Sequence, residues 1–273
     1  MLTRLLSAAL LVAAAFFAIA CASTSGDGPV PIRAATVTYG PADAPLVGYL
    51  AMPEHARGPR PVVLVVHEWW GRTAHADQTA DGLARLGYVG FALDMYGDGR
   101  STSDPKEAGA WAGAVRGDPA VLLARLHAAL DFVRSVPQVD ASRVACIGFC
   151  FGGTVSLEAA WAGEDLKAVV SFHGNLTTPS AEQAPNVKPS ILVCHGADDP
   201  FVGKDAVDAF QQSMREHGYD WEFASFGGAV HSFTNPAADG SFNPGAKFHP
   251  TAAFRAWRLA TEFLAEHLAD PPR

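Results

Sequence analysis

Cysteine is scarce in this chain, and charge is thin. Four cysteines in 273 residues are too few for the disulfide framework that holds small exported domains together, so the fold must rest on a buried core. Basic residues are outnumbered, 20 Lys and Arg against 28 Asp and Glu for a net charge of −8, and they form no run. That excludes a surface built to neutralise a phosphate backbone, and no nucleic-acid partner is expected. Only 18% of residues are charged while 49% are hydrophobic, which excludes disorder as the global state. There is no internal repeat, low-complexity block or second composition regime. The length would allow two small domains, but one large α/β domain is expected.

The longest apolar stretch stands at the start. Residues 8–20 are apolar, follow Arg4, and are too short to span a bilayer as a mature helix. Residues 1–20 therefore read as a signal peptide, with Ala18-Ile19-Ala20 supplying the small residues of a cleavage site. Cys21 directly behind them permits acylation as a lipoprotein, although Ala18 stands where leucine is usual, so an anchored and a plainly secreted form both stay open. Residues 21–33 read as a polar tether and 34–273 as the folded domain. The expected location is outside the cytoplasm, periplasmic or attached to the membrane through a lipid on Cys21.

From residue 62 the pattern alternates. Strands are expected at 62–66, 89–93, 143–148, 168–172, 191–194 and 221–226. Helices are expected at 77–86, through Leu122, Leu126, Leu130 and Val133, and at 152–160, 204–216 and 251–268. Apolar runs with helices of ten or more residues between them mean βαβ crossovers and a mainly parallel sheet with helices on both faces.

The strand at 143–148 runs into Gly148-Phe149-Cys150-Phe151-Gly152-Gly153 and then a helix. That is the setting of a nucleophile elbow with cysteine in place of serine. A side chain at such a corner is exposed at a helix start, where the dipole favours a thiolate. Cys146 and Cys194 sit inside apolar runs and read as small buried hydrophobes. An elbow calls for an acid and then a histidine later in the chain, each after a strand. His195-Gly196-Ala197-Asp198-Asp199 offers two carboxylates, of which Asp199 is favoured and Asp198 stays open as a turn or solvent residue. His231, after the strand at 221–226 and Gly227-Gly228, is the favoured base. His217 and His267 read as surface residues, and His249, before Pro250, as a capping or solvent histidine. Cys150, Asp199 and His231 would then work as nucleophile, orienting acid and base.

His67-Glu68-Trp69-Trp70-Gly71 follows the first long strand, in the loop that completes an oxyanion hole in this architecture. Its backbone N–H donors would be Trp69 and Phe151. A zinc site of the H-E-x-x-H kind fails because position 71 is glycine, and no metal or cofactor is expected. Glu68 could pair with Arg72 or Arg100, or govern the protonation of the thiol.

These segments, with Asp94-Met95-Tyr96-Gly97 and His231-Ser232-Phe233, resemble the dienelactone hydrolase family, carboxymethylenebutenolidases of the α/β-hydrolase fold, from about residue 47 to 268. The resemblance implies an ester or lactone hydrolase in which Glu68 accepts the thiol proton when substrate binds. It also implies two arginines for the substrate carboxylate, but Asp98 and Asn235 occupy those positions and only Arg100 lies close enough to replace one. A broader ester, lactone or thioester substrate is therefore expected, in a pocket lined by Trp69, Trp70, Tyr96 and Arg100. A monomer acting on a small molecule is expected. Two other readings are a non-catalytic envelope protein that binds through the same fold, and a redox thiol at Cys150.

Overall fold

The structure, a computed structural model, describes residues 30–269. Residues 1–20, Cys21 and most of the expected tether lie outside the described residues. The tether's last two residues do not behave as a tether, because the first strand, β1 (Ile32–Tyr39), begins inside it.

The strands that follow are β2 (Leu46–Pro53), β3 (Arg60–Val66), β4 (Val89–Leu93), β5 (Val139–Phe149), β6 (Ala168–Phe172), β7 (Ser190–Gly196) and β8 (Trp221–Phe226). They form one eight-stranded sheet in the order β1-β2-β4-β3-β5-β6-β7-β8. β1 and β2 pair antiparallel, as do β2 and β4, and all the remaining neighbours are parallel. This is a single-domain, mainly parallel α/β sheet, as the strand-helix alternation implies, in the α/β-hydrolase arrangement that the family resemblance implies.

Among the described residues six α-helices cover the sheet: α1 (Ala74–Arg85), α2 (Pro105–Arg116), α3 (Pro119–Ser135), α4 (Phe151–Trp161), α5 (Lys204–His217) and α6 (Pro250–His267). Asp104-Pro105 and Asp118-Pro119 show how α2 and α3 start. Each aspartate accepts a hydrogen bond from a first-turn N–H, and each proline occupies the first helical position, where no N–H is needed. His249 caps α6 in the same way, accepting from the N–H of Ala252 at 3.2 Å, as a capping histidine should.

Alternation along each strand divides the core in two. Leu64, Val66 and Cys146 face one layer with α2, α3, α4 and α5, while Val63, Val65 and Ile147 face the other with α1 and α6. β3 is buried on both faces by the two helix layers and pairs along its edges with β4 and β5. The chain reverses its winding direction beside it, and in open parallel sheets that reversal leaves a crevice beyond the carboxyl ends of the strands. Glu68, Cys150, His173, Asp199 and His231 all follow the carboxyl ends of strands, β3, β5, β6, β7 and β8 respectively.

The fold makes one prediction about its own centre. Leu64 is completely buried in β3, so Leu64→Ala should lower unfolding free energy by about 2–5 kcal/mol in a denaturant titration. A loss below about 0.5 kcal/mol would place this side chain outside the packed core.

Candidate active site

The elbow is built by backbone strain. Cys150 sits between β5 and α4 at φ 55° and ψ −114°, a conformation L residues avoid and one that costs on the order of 1–3 kcal/mol. Neighbouring backbone closes in on that corner. A Cβ on Gly148 would lie 2.0 Å from the carbonyl oxygen of Gly152, and one on Gly152 would lie 2.3 Å from that of Val66. Both positions therefore require glycine, which is why the motif has the spacing it does. The Cys150 N–H is shared between the carbonyl oxygen of Phe172 at 3.0 Å and Nδ1 of His173 at 3.2 Å. Its thiol stands half-buried at the N-terminus of α4.

His231 faces that thiol. Its Nδ1 lies 2.8 Å from Oδ2 of Asp199, and its ring hydrogen-bonds Cys150 on the other side. Burial alone pulls the imidazole down, but the adjacent Cys150 and Asp199 outweigh it and hold His231 above its ordinary value. Asp199 is buried, and its second oxygen accepts the Phe201 N–H at 2.8 Å. Asp198, beside it, is exposed. His217 is exposed and His267 half-exposed, both at the far end of their helices. Cys146 and Cys194 are fully buried and free, and burial pushes the Cys146 thiol up to about 12.

The loop after β3 is fastened from beneath. Nε2 of His67 accepts the Met95 N–H at 3.2 Å, so Nδ1 carries the proton and donates to the carbonyl oxygen of Glu68 at 2.6 Å. Burial lowers His67 to about 4, which keeps it neutral in that role. Asp94, fully buried, accepts from the N–H groups of Val47, Tyr96, Gly97 and Gly99, drawing the next loop into place. Trp69 stands in the turn so formed, and Phe151 is the first residue of α4, whose N–H has no acceptor within the helix.

Glu68 is buried, and it is not paired with an arginine. Ser232 Oγ donates to it at 3.2 Å, Asn235 Nδ2 donates to its other oxygen, and His75 Nδ1 lies 3.9 Å away. The two arginines considered as partners are engaged elsewhere. Arg72 binds Asp77 at 2.6 Å, and Arg100 hydrogen-bonds the carbonyl oxygens of Tyr96 and Gly97 with its guanidinium over the Trp111 ring. Glu68 instead grips the loop that carries His231.

A cleft of about 1490 Å³ opens over Cys150 and His231, with Trp69, Trp70, Phe201 and Phe242 among its walls. Trp69 and Trp70 pack together with ring centroids 4.6 Å apart, and Phe242 closes on them at 6.3 and 5.9 Å.

The dienelactone hydrolase family model matches residues 46–268. The chain belongs to the dienelactone hydrolase family. It is accordingly a hydrolase of ester or lactone bonds. An Aquifex aeolicus protein provisionally named a carboxymethylenebutenolidase is 31% identical over 228 residues, covering 81% of this chain and 93% of that protein. A solved structure called m3DLH superposes with TM-score 0.84 at 38% identity, covering 89% of this chain and all of that one. A dienelactone hydrolase-like promiscuous phosphotriesterase from metagenomic libraries superposes with TM-score 0.83 at 38% identity, covering 87% and 99%.

This family member differs from the sequence expectation in its pocket. Trp69 and Trp70 line the cleft, but Tyr96 and Arg100 do not. Tyr96 is buried beneath it, where its hydroxyl donates to the carbonyl oxygen of Trp69 at 3.0 Å and its ring packs on His67 and Phe151. Arg100 is held by its own loop, as described. Sequence reasoning also passed over Arg116 and Phe242, which do line the cleft, and His173, which touches Cys150. Arg116 closes a helix whose apolar residues are mostly alanine, and Phe242 lies in a long loop, so neither had periodicity to mark it. His173 carried one usable signal, its place directly after a buried strand.

The His231 environment predicts a pH effect. A histidine whose folded value is raised stabilises the fold fully below its unfolded value, about 6.5, and loses that contribution as pH rises through the folded value. Asp199→Asn removes one source of the raise. It should therefore destabilise the protein more at about pH 6 than at about pH 10.5, as read from melting temperatures. An equal loss at both pH values would show that the carboxylate does not act through this histidine.

Proposed function

We propose that this enzyme is an exported cysteine hydrolase that cleaves an ester, lactone or thioester through an acyl-enzyme. The observation that carries the proposal is the placement of Cys150, at a strained elbow on a helix N-terminus, hydrogen-bonded by a histidine that is itself anchored on buried Asp199. His231 holds the thiol proton, and Cys150 attacks the substrate carbonyl as a thiolate, forming the C–S bond. Negative charge moves onto the carbonyl oxygen, where the N–H groups of Trp69 and Phe151 are the proposed donors. Collapse of this intermediate breaks the C–O or C–S bond of the substrate, and His231 gives its proton to the leaving oxygen or sulfur. In a lactone that oxygen stays attached to the acyl chain. Water then gives a proton to His231 and attacks the thioester, which releases the acid and restores the thiol.

The cleft favours a neutral substrate with an apolar or aromatic group. Its walls are aromatic around Trp69, Trp70, Phe201 and Phe242, and both positions of the family's carboxylate-binding arginines are spent otherwise. Asp98 is exposed, and Asn235 holds Glu68. Arg116 supplies one guanidinium to the rim, but it is solvent-exposed and therefore weak as a carboxylate anchor. Kinship to a promiscuous phosphotriesterase fits a site that tolerates several electrophiles.

Export rests on the apolar leader and its small-residue cleavage site, with Cys21 able to take a lipid; the intact mass of the mature N-terminus checks both. Among the described residues no helix is long and apolar enough to cross a membrane.

Cys150→Ala should reduce turnover of an activated short-chain ester by at least about a thousandfold, and retained activity in that variant sinks the nucleophile assignment. In a substrate panel, a neutral aryl ester should exceed an anionic lactone in kcat/KM by about tenfold or more. The reverse preference would mean that Arg116 or another group recognises the carboxylate after all. Glu68→Gln keeps an acceptor for Ser232 but removes the charge. It should lower kcat by about tenfold or more with the melting temperature nearly unchanged, and an unaltered kcat would leave Glu68 a purely structural role.

A further inference from the structure

His173 lies outside the proposed nucleophile, base and acid, yet it touches the elements that carry two of them. It follows β6, is 1% exposed, and sits at φ 41°. Its Nδ1 accepts the Cys150 N–H at 3.2 Å, so the ring proton is on Nε2, which donates to Thr234 Oγ1 at 2.7 Å. Thr234 is three residues beyond His231, and the His173 and His231 rings meet edge to face with centroids 5.2 Å apart. Nδ1 can accept only while the ring is neutral. Burial, with His231, His75 and His195 nearby, lowers His173 well below its ordinary value.

We propose that His173 is a positioning residue that fixes the nucleophile elbow and the base loop relative to each other, through one hydrogen bond from each of its ring nitrogens. The inference rests on the cysteine-hydrolase reading above. Cys150 and His231 follow different strands, and the proton transfer between them depends on their separation. A misplacement of about 1 Å at such a pair costs on the order of a hundredfold in rate. His173 spans that gap with a flat, rigid ring whose two nitrogens point in opposite directions, one acceptor and one donor. Thr234 completes the link because its hydroxyl accepts from the ring.

Three variants test this. His173→Leu removes both bonds and should lower kcat by about a hundredfold with KM changed less than about threefold. His173→Asn should restore kcat to within about tenfold of the parent, because an asparagine oxygen can take the place of Nδ1 and asparagine tolerates the left-handed backbone. Thr234→Val keeps the ring and removes only its second anchor, and should lower kcat by about tenfold. Melting temperatures accompany each. Parental kcat in folded His173→Leu, or an Asn variant as slow as a folded Leu variant, overturns the proposal. If His173→Leu does not fold, Thr234→Val decides, and parental kcat there overturns it. Cys150→Ala measured alongside separates the two levels. Activity in Cys150→Ala removes the nucleophile reading and this inference with it. An inactive Cys150→Ala beside His173 variants of parental rate removes the His173 assignment alone.

Discussion

The site depends on one backbone corner. Cys150 is held at positive φ between a strand buried on both faces and a helix buried all round, and nothing in a cysteine favours that conformation. The corner persists because β5 and α4 cannot relax without opening the core around them. Gly148 and Gly152 let the adjoining backbone come close enough to shut it. Strain of this kind is stable only where the surroundings overdetermine it. The order of cause therefore runs from the apolar run in β5, through the packing of α4 against the sheet, to a thiol presented at a helix N-terminus.

Around that corner the enzyme places polar groups in a dry interior and satisfies nearly all of them. His67, His173 and Glu68 are each buried, and each spends its hydrogen bonds on a loop. The two histidines are useful because burial keeps them neutral. A neutral imidazole has one donor and one acceptor, so it can join two loops, whereas a charged one has only donors. The loop that carries His231 is consequently tied at almost every residue: His231 to Asp199, Ser232 and Asn235 to Glu68, Thr234 to His173, with Phe233 in the core. Loops at the ends of strands are ordinarily the mobile part of such folds, and here side chains from neighbouring strand ends supply the order that backbone pairing does not.

Much of this was legible beforehand, and the boundary of legibility has physical causes. The strands at 89–93 and 168–172 were readable to the residue because strands buried on both faces need unbroken apolar runs. The elbow was readable because its glycines are sterically compulsory. β1 was not, since an edge strand with most of its residues exposed carries little apolar pattern. Neither was α2, whose core-facing residues Ala108, Ala112 and Val115 are mostly small. The pocket was the least legible part. Tyr96 and Arg100 are near the site in sequence motif, but their side chains turn back to the carbonyl oxygens of Trp69, Tyr96 and Gly97. A motif places a residue near a site; the direction of its side chain is decided by contacts from elsewhere in the chain.

Asn235 shows what such a contact does to specificity. In the family pattern its position serves a substrate carboxylate, and an arginine there would place a cation next to buried Glu68. Asparagine instead donates a neutral hydrogen bond to that carboxylate and leaves the cleft without the matching charge. An anionic substrate entering this cleft would lose hydration without a buried cation to replace it, a cost of several kcal/mol that a solvated Arg116 on the rim offsets only weakly. A neutral ester bears no such cost and gains from the surface of Trp69, Trp70 and Phe242. On the proposed reading, selection in this cleft would follow from desolvation, and Asn235, at the cleft wall with its amide spent on Glu68, would contribute to it.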